Sequence, residues 1–343
     1  MKMKKKVIGI LAGVLAVAAS AGVGLYAYSH EEIKTDTIAV SEFTELTVKA
    51  TSADIRVKQG SRNEISYQLP ETLVPEIKED GGKLTVISKS SRKFPFFNIS
   101  FGSKKTYIEI TLTEDALKHA EINVTSGDIS LSGIDFAGSI NSTSGDIRIS
   151  DSESGENLSI DATSGDLFIE NCVFGKLECE QTSGDIQLKN VTADSYSGHT
   201  TSGDFSGSGL DAQNISIKAT SGDIEMSVAG KESDYDCDLS CTSGDITVSG
   251  KEQGNRHQVQ LGAERSVSVK TTSGDISICF AQCPPIIPTG PDSPSRGLCF
   301  SRKSSRQPRR TACCCITGLY RAKLSQWRAP EVHNLRLRGG RQC

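Results

Sequence analysis

Hydrophobic and polar residues alternate along most of the chain, and the alternation is organised around a four-residue block. Thr-Ser-Gly-Asp followed by an apolar residue occurs eight times between residues 125 and 276, at intervals of 18 to 22 residues and once of 30. A related block, Thr-Ser-Ala-Asp, stands at 51–54. Apolar residues occupy every second position around each block, as at Ile147 and Ile149. Because period two is typical of strands with one buried face, each copy predicts a strand, a tight turn and a second strand.

The regular spacing predicts how these units are arranged. A unit of about 19 residues cannot bury its apolar face alone, but it can do so when it is stacked on its neighbours. We therefore predict an all-β fold, a β-solenoid or β-roll, with the repeats at 121–280 and successive coils about 4.8 Å apart. The alternative is a β-sandwich of short strands, which the regular spacing disfavours.

The block itself predicts the turn chemistry. Its glycine can adopt the positive φ that a tight turn requires, which assigns a structural role to Gly127, Gly145, Gly165, Gly184, Gly203, Gly222, Gly244 and Gly274. In register, its aspartates form a column of like charges that needs either backbone amides or cations for stability. The sequence favours amides, because the glycine spacing of calcium-binding nonapeptides is absent. Calcium is the alternative, at Asp128, Asp146, Asp166, Asp185, Asp204, Asp223 and Asp245.

The N-terminal region, residues 1–30, is predicted to be a membrane segment. Four lysines precede an uncharged apolar run at 7–28, which as a helix is long enough to cross a bilayer. The lysines favour a cytoplasmic N-terminus and place the rest of the chain outside the cytoplasm. We predict a single-pass anchor in the cell membrane. The alternative is a signal peptide, cleaved near 19–21, and a secreted protein.

Two further regions differ from the repeats. Residues 31–120 are β-patterned but irregularly spaced, which predicts a capping region at the membrane-proximal end. Residues 281–343 are basic and rich in cysteine and proline, with a net charge of +10. This tail is predicted to be disordered or the product of a frameshift. The alternative is a basic tail that contacts anionic wall polymer or lipid headgroups.

Charge and composition exclude several functions. Residues 31–280 carry a net charge of −18, which argues against nucleic-acid binding because phosphates must be neutralised by Lys and Arg. A serine or aspartate repeated eight times is a structural feature, so no catalytic residue is assigned and we predict that the protein is not an enzyme. No cofactor-binding motif or zinc-ligand pair is present. Cys179, Cys237 and Cys241 occupy apolar positions and are predicted to be core residues, whereas Cys172 and Cys179 flank a turn and could form a disulfide.

The repeated Thr-Ser-Gly-Asp-Ile, the opening Thr-Ser-Ala-Asp-Ile and the stretch Tyr107–Leu112 that leads into residues 122–128 resemble a bacterial family. It is the putative-adhesin family of envelope proteins, a domain of unknown function often encoded near envelope-stress genes. The resemblance covers about residues 35–280. It implies an envelope location and brings no catalytic residues with it.

These observations predict a membrane-anchored extracytoplasmic protein with an adhesive or structural envelope role. It would bind cell-wall glycan, cations or another envelope protein through an extended acidic surface of Ser, Thr and Asp, by many weak contacts. One alternative is an accessory of an envelope-stress regulatory system, which would contact a membrane partner through Gly9, Gly13 and Ala16. A lesser alternative is a glycan-active enzyme that uses a pair of carboxylates on adjacent coils.

Overall fold

The computed structural model describes residues 32–89, 106–113 and 117–281. This part of the chain is almost entirely β, with two short 3-10 helices at Glu71–Leu73 and Glu232–Asp234 and no α-helix. Within these ranges no helix has the length and apolar character needed to span a membrane. The predicted anchor at 7–28 and the tail beyond residue 281 lie outside the described residues.

The strands are short at both ends of the domain and long in its middle. In chain order they are β1 Ile33–Ala39, β2 Glu45–Ser52, β3 Asp54–Gln59, β4 Glu64–Pro70, β5 Glu76–Asp80, β6 Lys83–Ser88, β7 Tyr107–Leu112, β8 His119–Ser126, β9 Ile129–Ser132, β10 Ala137–Ser144, β11 Ile147–Ser150, β12 Leu158–Ser164, β13 Leu167–Ser183, β14 Ile186–Ser202, β15 Phe205–Ser221, β16 Ile224–Ala229, β17 Tyr235–Ser243, β18 Ile246–Val248, β19 Lys251–Glu252, β20 Arg256–Val259, β21 Arg265–Ser273 and β22 Ile276–Ala281.

The predicted solenoid is confirmed. Successive repeats pair in parallel and in register, so that Ile147 lies beside Leu167 and Leu167 beside Ile186. All three side chains point inward and are 1% exposed. The nine copies of the block therefore form nine rungs, where a rung is one copy with the strand before it and the strand after it.

Each coil has three sides, as β13 shows. Inward and outward residues alternate along it, but two consecutive residues lie at the surface near Asn171 and again near Lys176. These two breaks in the alternation are the corners of the coil, and the Thr-Ser-Gly-Asp turn is its third. Asn171 has a φ of 54°, in the left-handed region that Asn adopts more readily than most residues.

The core is one continuous column of apolar side chains inside the coils. The residue after each aspartate is buried in every rung, and in stacking order these residues are Ile55, Ile129, Ile147, Leu167, Ile186, Phe205, Ile224, Ile276 and Ile246. Burial of apolar surface is the main favourable term, at about 25 cal/mol per Å². Each rung contributes to it only while its neighbours are in place.

The stacking order departs from the chain order at both ends. At the C-terminal end, β21–β22 lies between β15–β16 and β17–β18, although it is the last segment of the fold. At the N-terminal end, β2–β3 lies between β6–β7 and β8–β9. Both the first and the last copy of the block are therefore paired on two sides.

Antiparallel strands cover the two ends of the solenoid. β5 pairs with β6 and β4 with β7 at one end, and β1 extends the sheet beyond β4. β20 pairs with β17 and β19 with β18 at the other end. The change from parallel to antiparallel pairing ends the repeat on each side, which limits edge-to-edge association of the stacked strands.

Candidate functional site

The repeated turn is held by two backbone requirements at its glycine. Gly203 has a φ of 139°, and a Cβ atom at this position would lie 1.9 Å from the carbonyl oxygen of Gly184 in the neighbouring rung. The other motif glycines share both features, with a positive φ and a backbone oxygen at 2.0 to 2.2 Å from the added Cβ: Gly127, Gly145, Gly165, Gly184, Gly222, Gly244 and Gly274. All eight predicted turn glycines are therefore needed for close approach between coils as well as for the turn.

The aspartates of the turns form a hydrogen-bonded column along the solenoid. In each pair of adjacent rungs the backbone N–H of the later aspartate in the stacking order donates to Oδ1 of the earlier one, at 2.9 to 3.2 Å. The column runs in stacking order through Asp54, Asp128, Asp146, Asp166, Asp185, Asp204, Asp223, Asp275 and Asp245. Each carboxylate except the last thus accepts an amide hydrogen bond from its neighbour, which stabilises the row of like charges.

The amide hydrogen bonds relate to the two alternatives for stabilising this column, which are backbone amides and calcium ions. They are the backbone capping that the sequence favoured over calcium. Across residues 32–89, 106–113 and 117–281, no group of three or more His, Cys, Asp or Glu side chains is arranged to hold a metal ion. Calcium along the Asp column stays a prediction.

A polar groove runs beside the turns on the outer face of the strands that precede them. We name it the turn groove. Its volume is about 600 Å³. One wall is the column of motif threonines, and the other is the column two residues earlier on each strand. The residues that define the two walls are Thr51, Thr125, Thr143, Thr163, Thr182 and Thr201 on one side, and Lys49, Asn123, Asn141, Asp161, Glu180 and His199 on the other.

Strand geometry sets the dimensions of the turn groove. Two residues along a strand span about 7 Å, and five steps between six rungs span about 24 Å. The groove is therefore narrower than an α-helix, whose diameter is about 10 Å. It has the shape of a site for one extended chain that runs across the strands, with one structural repeat of the solenoid every 4.8 Å or so.

The wall opposite the threonines changes character along the groove. At one end Lys49 forms an ion pair with Glu121 at 3.7 Å. In the middle, Asn141 Nδ2 donates to Asn123 Oδ1 at 3.0 Å, and Asn123 Nδ2 donates to Glu121 Oε1 at 2.8 Å. The groove therefore offers a basic end followed by a preformed row of amides.

Acidic residues follow the amides. Asp161 lies beside Glu180, which lies beside His199 in the next coil. Partial burial, with the nearby charges of Glu180 and Glu178, raises the pKa of the Asp161 carboxyl. Like charges at paired positions are unfavourable in a sheet, so this end of the turn groove disfavours an anionic ligand.

The cysteines lie in the core, as predicted for three of them. Cys172, Cys179, Cys237 and Cys241 are buried and free, so the alternative disulfide between Cys172 and Cys179 is absent. Burial raises the pKa of the Cys172 and Cys237 thiols to about 11 and raises that of Cys179 further. These thiols are therefore protonated at neutral pH and are not nucleophiles.

The structure separates the residues that the sequence singled out from those that line the groove. The motif glycines lie next to one another in adjacent coils, and so do the motif aspartates. Both sets build the turns and do not line the groove. Asn123, Asn141, Asp161, Glu180 and His199 were not selected from the sequence. Their common signal is their position, two residues before each motif threonine, where the residue type varies from copy to copy.

The fold and the repeat define an all-β solenoid in which each coil turns one corner at a Thr-Ser-Gly-Asp block. The family model of Toastrack DUF4097 matches residues 43–279. The chain belongs to this family, a domain of unknown function.

Several solved structures are similar to the chain. A putative adhesin from Bacteroides fragilis NCTC 9343 is 18% identical, with 73% of this chain and 98% of that chain covered and a TM-score of 0.42. A putative adhesin from Parabacteroides merdae ATCC 43184 is 15% identical, with 74% and 98% covered and a TM-score of 0.39. A putative lipid binding protein from Parabacteroides distasonis ATCC 8503 is 16% identical, with 74% and 98% covered and a TM-score of 0.36. The search of curated proteins gave no match.

Proposed function

We propose that the protein is a non-catalytic envelope protein, anchored in the cell membrane by residues 7–28, that binds an extended envelope polymer in the turn groove. The observation that carries the proposal is the in-register groove itself. Six rungs present a hydroxyl on one wall and an amide, charged or imidazole group on the other at a constant spacing. A polymer that runs along the solenoid would meet the same kind of contact at every coil.

The energetics fit many weak contacts. A single hydrogen bond contributes about 0.5 to 1.5 kcal/mol net, because the groups lose hydrogen bonds to water. A repeated ligand gains from effective concentration once its first unit is bound. Affinity would then rise steeply with the length of the polymer up to the length of the groove, about 24 Å.

Charge limits the class of polymer. Residues 121–280 carry a net charge of −17, and Asp161 and Glu180 lie within the groove. Nucleic acids and other polyanions are therefore disfavoured unless cations bridge them. A neutral or zwitterionic wall glycan is the polymer class that this surface favours.

The non-catalytic part of the proposal rests on what the motif side chains do. Each aspartate of the column, apart from the last, accepts a backbone hydrogen bond from the next rung, as Asp166 does from Asp185. Each glycine allows close packing. The same roles are repeated in every coil, whereas catalysis requires a constellation assembled at one place.

Sedimentation with cell-wall material tests the proposal. The full chain, purified in detergent, would be pelleted with insoluble wall glycan in the presence and absence of calcium. Thr163→Arg places a long side chain in the groove, and Ser206→Arg places the same side chain on an exposed position of another face. We expect Thr163→Arg to lower binding at least about tenfold, equivalent to about 1.4 kcal/mol, and Ser206→Arg to leave it unchanged. Equal binding by both variants, or no binding by the wild type, would contradict the proposal.

A further inference from the structure

The last segment of the fold occupies a slot between two rungs. β21 pairs in parallel with β15 on one side and with β17 on the other, and β22 pairs likewise with β16 and β18. Along the chain, β17 and β18 build the outermost rung, and the antiparallel strands β19 and β20 follow. The chain then returns, and β21 and β22 fill the slot. The slot is thus a gap in a continuous sheet that a separate segment closes.

The contacts inside the slot are of the same kind as those between other rungs. Asp275 N–H donates to Asp223 Oδ1 at 3.0 Å, and Asp245 N–H donates to Asp275 Oδ1 at 2.9 Å. Gly222 N–H donates to Ser273 O at 3.0 Å, and Gly274 N–H donates to Ser243 O at 3.0 Å. The slot therefore recognises the motif of the inserted segment, and none of these bonds depends on which chain supplies it.

Arg265 at the start of β21 adds contacts that are specific to this segment. Its guanidinium forms an ion pair with Asp211, donates to Ala212 O at 2.9 Å and lies over the Tyr235 ring at 4.5 Å. These contacts discriminate β21–β22 from the other motif segments. The identical segment of a second copy would make them equally well.

A short strap joins the inserted segment to the strand before it. Residues 260–264 lead from β20 to β21 and pass the start of β17, where the Asp236 carboxylate accepts backbone hydrogen bonds from Leu261, Gly262 and Ala263 at 2.6, 3.0 and 3.2 Å. The Leu261 residue is 58% exposed. The strap is held mainly from one side chain, with little burial.

We propose that β21–β22 is an exchangeable segment, and that two copies of this chain pair by each placing this segment in the slot of the other. The exchanged dimer keeps every contact within the slot. Only the strap changes: instead of passing the start of β17 in its own chain, it extends from β20 to the slot of the other copy. Exchange of an identical element is a route to dimers that needs no new interface. The partner is therefore a second copy of this chain, and Asp236 restrains the exchange.

Disulfide trapping between two tagged copies tests this proposal. Ser216 on β15 pairs with Ser268 on β21, and Ser197 on β14 pairs with Ser216. One copy would carry Ser216→Cys and the other Ser268→Cys, because neighbouring strands hold such residues within disulfide reach. The matched control replaces the second change by Ser197→Cys, on a strand that does not exchange. Linked peptides are identified by mass spectrometry after incubation of the mixed full chains at moderate urea and return to buffer.

We expect an interchain link between positions 216 and 268 and none between 216 and 197. Asp236→Ala, which removes the acceptor that holds the strap, is expected to raise the rate of linking about tenfold. Asp194→Ala, an exposed change on another coil, is expected to leave it unaltered. A 216–268 double variant that links only within its own chain, with no interchain product, would overturn the proposal. An unchanged rate for Asp236→Ala would overturn the assignment of the strap as the restraint.

Discussion

The backbone N–H of Asp185 donates to the Asp166 carboxylate at 2.9 Å, and the Asp185 carboxylate in turn accepts from Asp204 N–H at 2.9 Å. An aspartate of the turn is thus a donor to one coil and an acceptor for the other. The column transmits register from rung to rung, because a slip of one residue would remove the acceptor and turn the buried faces outward.

Removal of one acceptor from the column should weaken the fold locally. Asp185→Ala leaves Asp204 N–H without its partner, whereas Asp185→Asn keeps an oxygen in the same place. We expect the alanine variant to lose about 1 kcal/mol of unfolding free energy and the asparagine variant less. Urea unfolding at pH 7 measures both, with Asp194→Ala as the exposed control. Equal stability of Asp185→Ala and the wild type would contradict the role of the column.

The motif glycines should be far less replaceable than glycines of open loops. Gly203→Ala would bring a Cβ to 1.9 Å from Gly184 O at a positive φ, and we expect a loss of roughly 3 kcal/mol or more. Gly81 has a φ of 57° with nothing within 4 Å of an added Cβ, so Gly81→Ala should lose only about 1 kcal/mol. Urea unfolding of the two variants gives the comparison. Similar losses would mean that contact between coils adds nothing to the backbone preference.

Sequence reasoning found the repeat because its signal is local. Alternation around Ile147 and Ile149 predicts buried strands, and a fixed interval predicts stacking. The related block at 51–54 departs from the motif at one position, and the backbone there explains why this is possible. Ala53 stands where the other copies have glycine, and it is not among the residues with positive φ in the described ranges.

The stacking order could not be predicted from the sequence. The eight Thr-Ser-Gly-Asp copies carry the same turn, so the motif alone does not tell which rung lies beside which. Arg265, which contacts Asp211 and Tyr235, fixes the place of the last segment through contacts between distant parts of the chain. Such contacts leave no periodic signal.

The turn groove was missed for a related reason. Its variable wall consists of residues such as Asn141 and Glu180, which share a position but not a residue type.

The core pattern also has a break at Gly198, which the sequence shows but does not explain. Position 198 points inward and would normally carry an apolar side chain. It is glycine because the Tyr196 side chain fills that space, and the Tyr196 hydroxyl lies 2.6 Å from where a Cβ of residue 198 would be.

The core thiols should be unreactive in the native protein. Burial raises the pKa of Cys172 and Cys237 to about 11. Alkylation with iodoacetamide at pH 8, mapped by mass spectrometry, should therefore modify Cys172, Cys179 and Cys237 only after denaturant is added. Modification of any of the three in the native protein would contradict the arrangement of the core.

The same shift predicts a loss of stability in alkali. A thiol whose pKa is higher in the folded state than in the unfolded chain stabilises the fold fully below the unfolded value, near 9. This contribution is lost as the pH rises towards 11, because the unfolded chain releases its proton first. Cys172→Ser should reduce the fall in Tm between pH 9 and 11. Serine is a suitable replacement, because Ser152 is fully buried in the adjacent coil and its hydroxyl contacts the carbonyl two residues earlier, as the Cys172 thiol does.

The hydrogen bonds between the strap and Asp236 on β17 should lose their contribution to stability in acid, whereas the thiols lose theirs in alkali. Hydrogen bonds from Leu261, Ala263 and Gly262 lower the pKa of the Asp236 carboxyl. A carboxyl with a depressed folded pKa stabilises the fold above its ordinary value of about 3.9, and this contribution is lost as the pH falls through the depressed value. Asp236→Asn keeps an acceptor oxygen but cannot titrate. The wild type should therefore be more stable than Asp236→Asn at pH 6, and the difference should shrink as the pH falls below 4.

Urea unfolding of the two proteins at several pH values between 6 and 3 measures that difference. Asp194→Asn serves as the control, because it removes an exposed carboxylate on another coil and should show no such trend. A wild-type advantage that stays constant down to pH 3 would contradict the charge-assisted hold on the strap. A trend shared by both variants would assign the effect to the net charge of the solenoid, because loss of any acidic group relieves its self-repulsion.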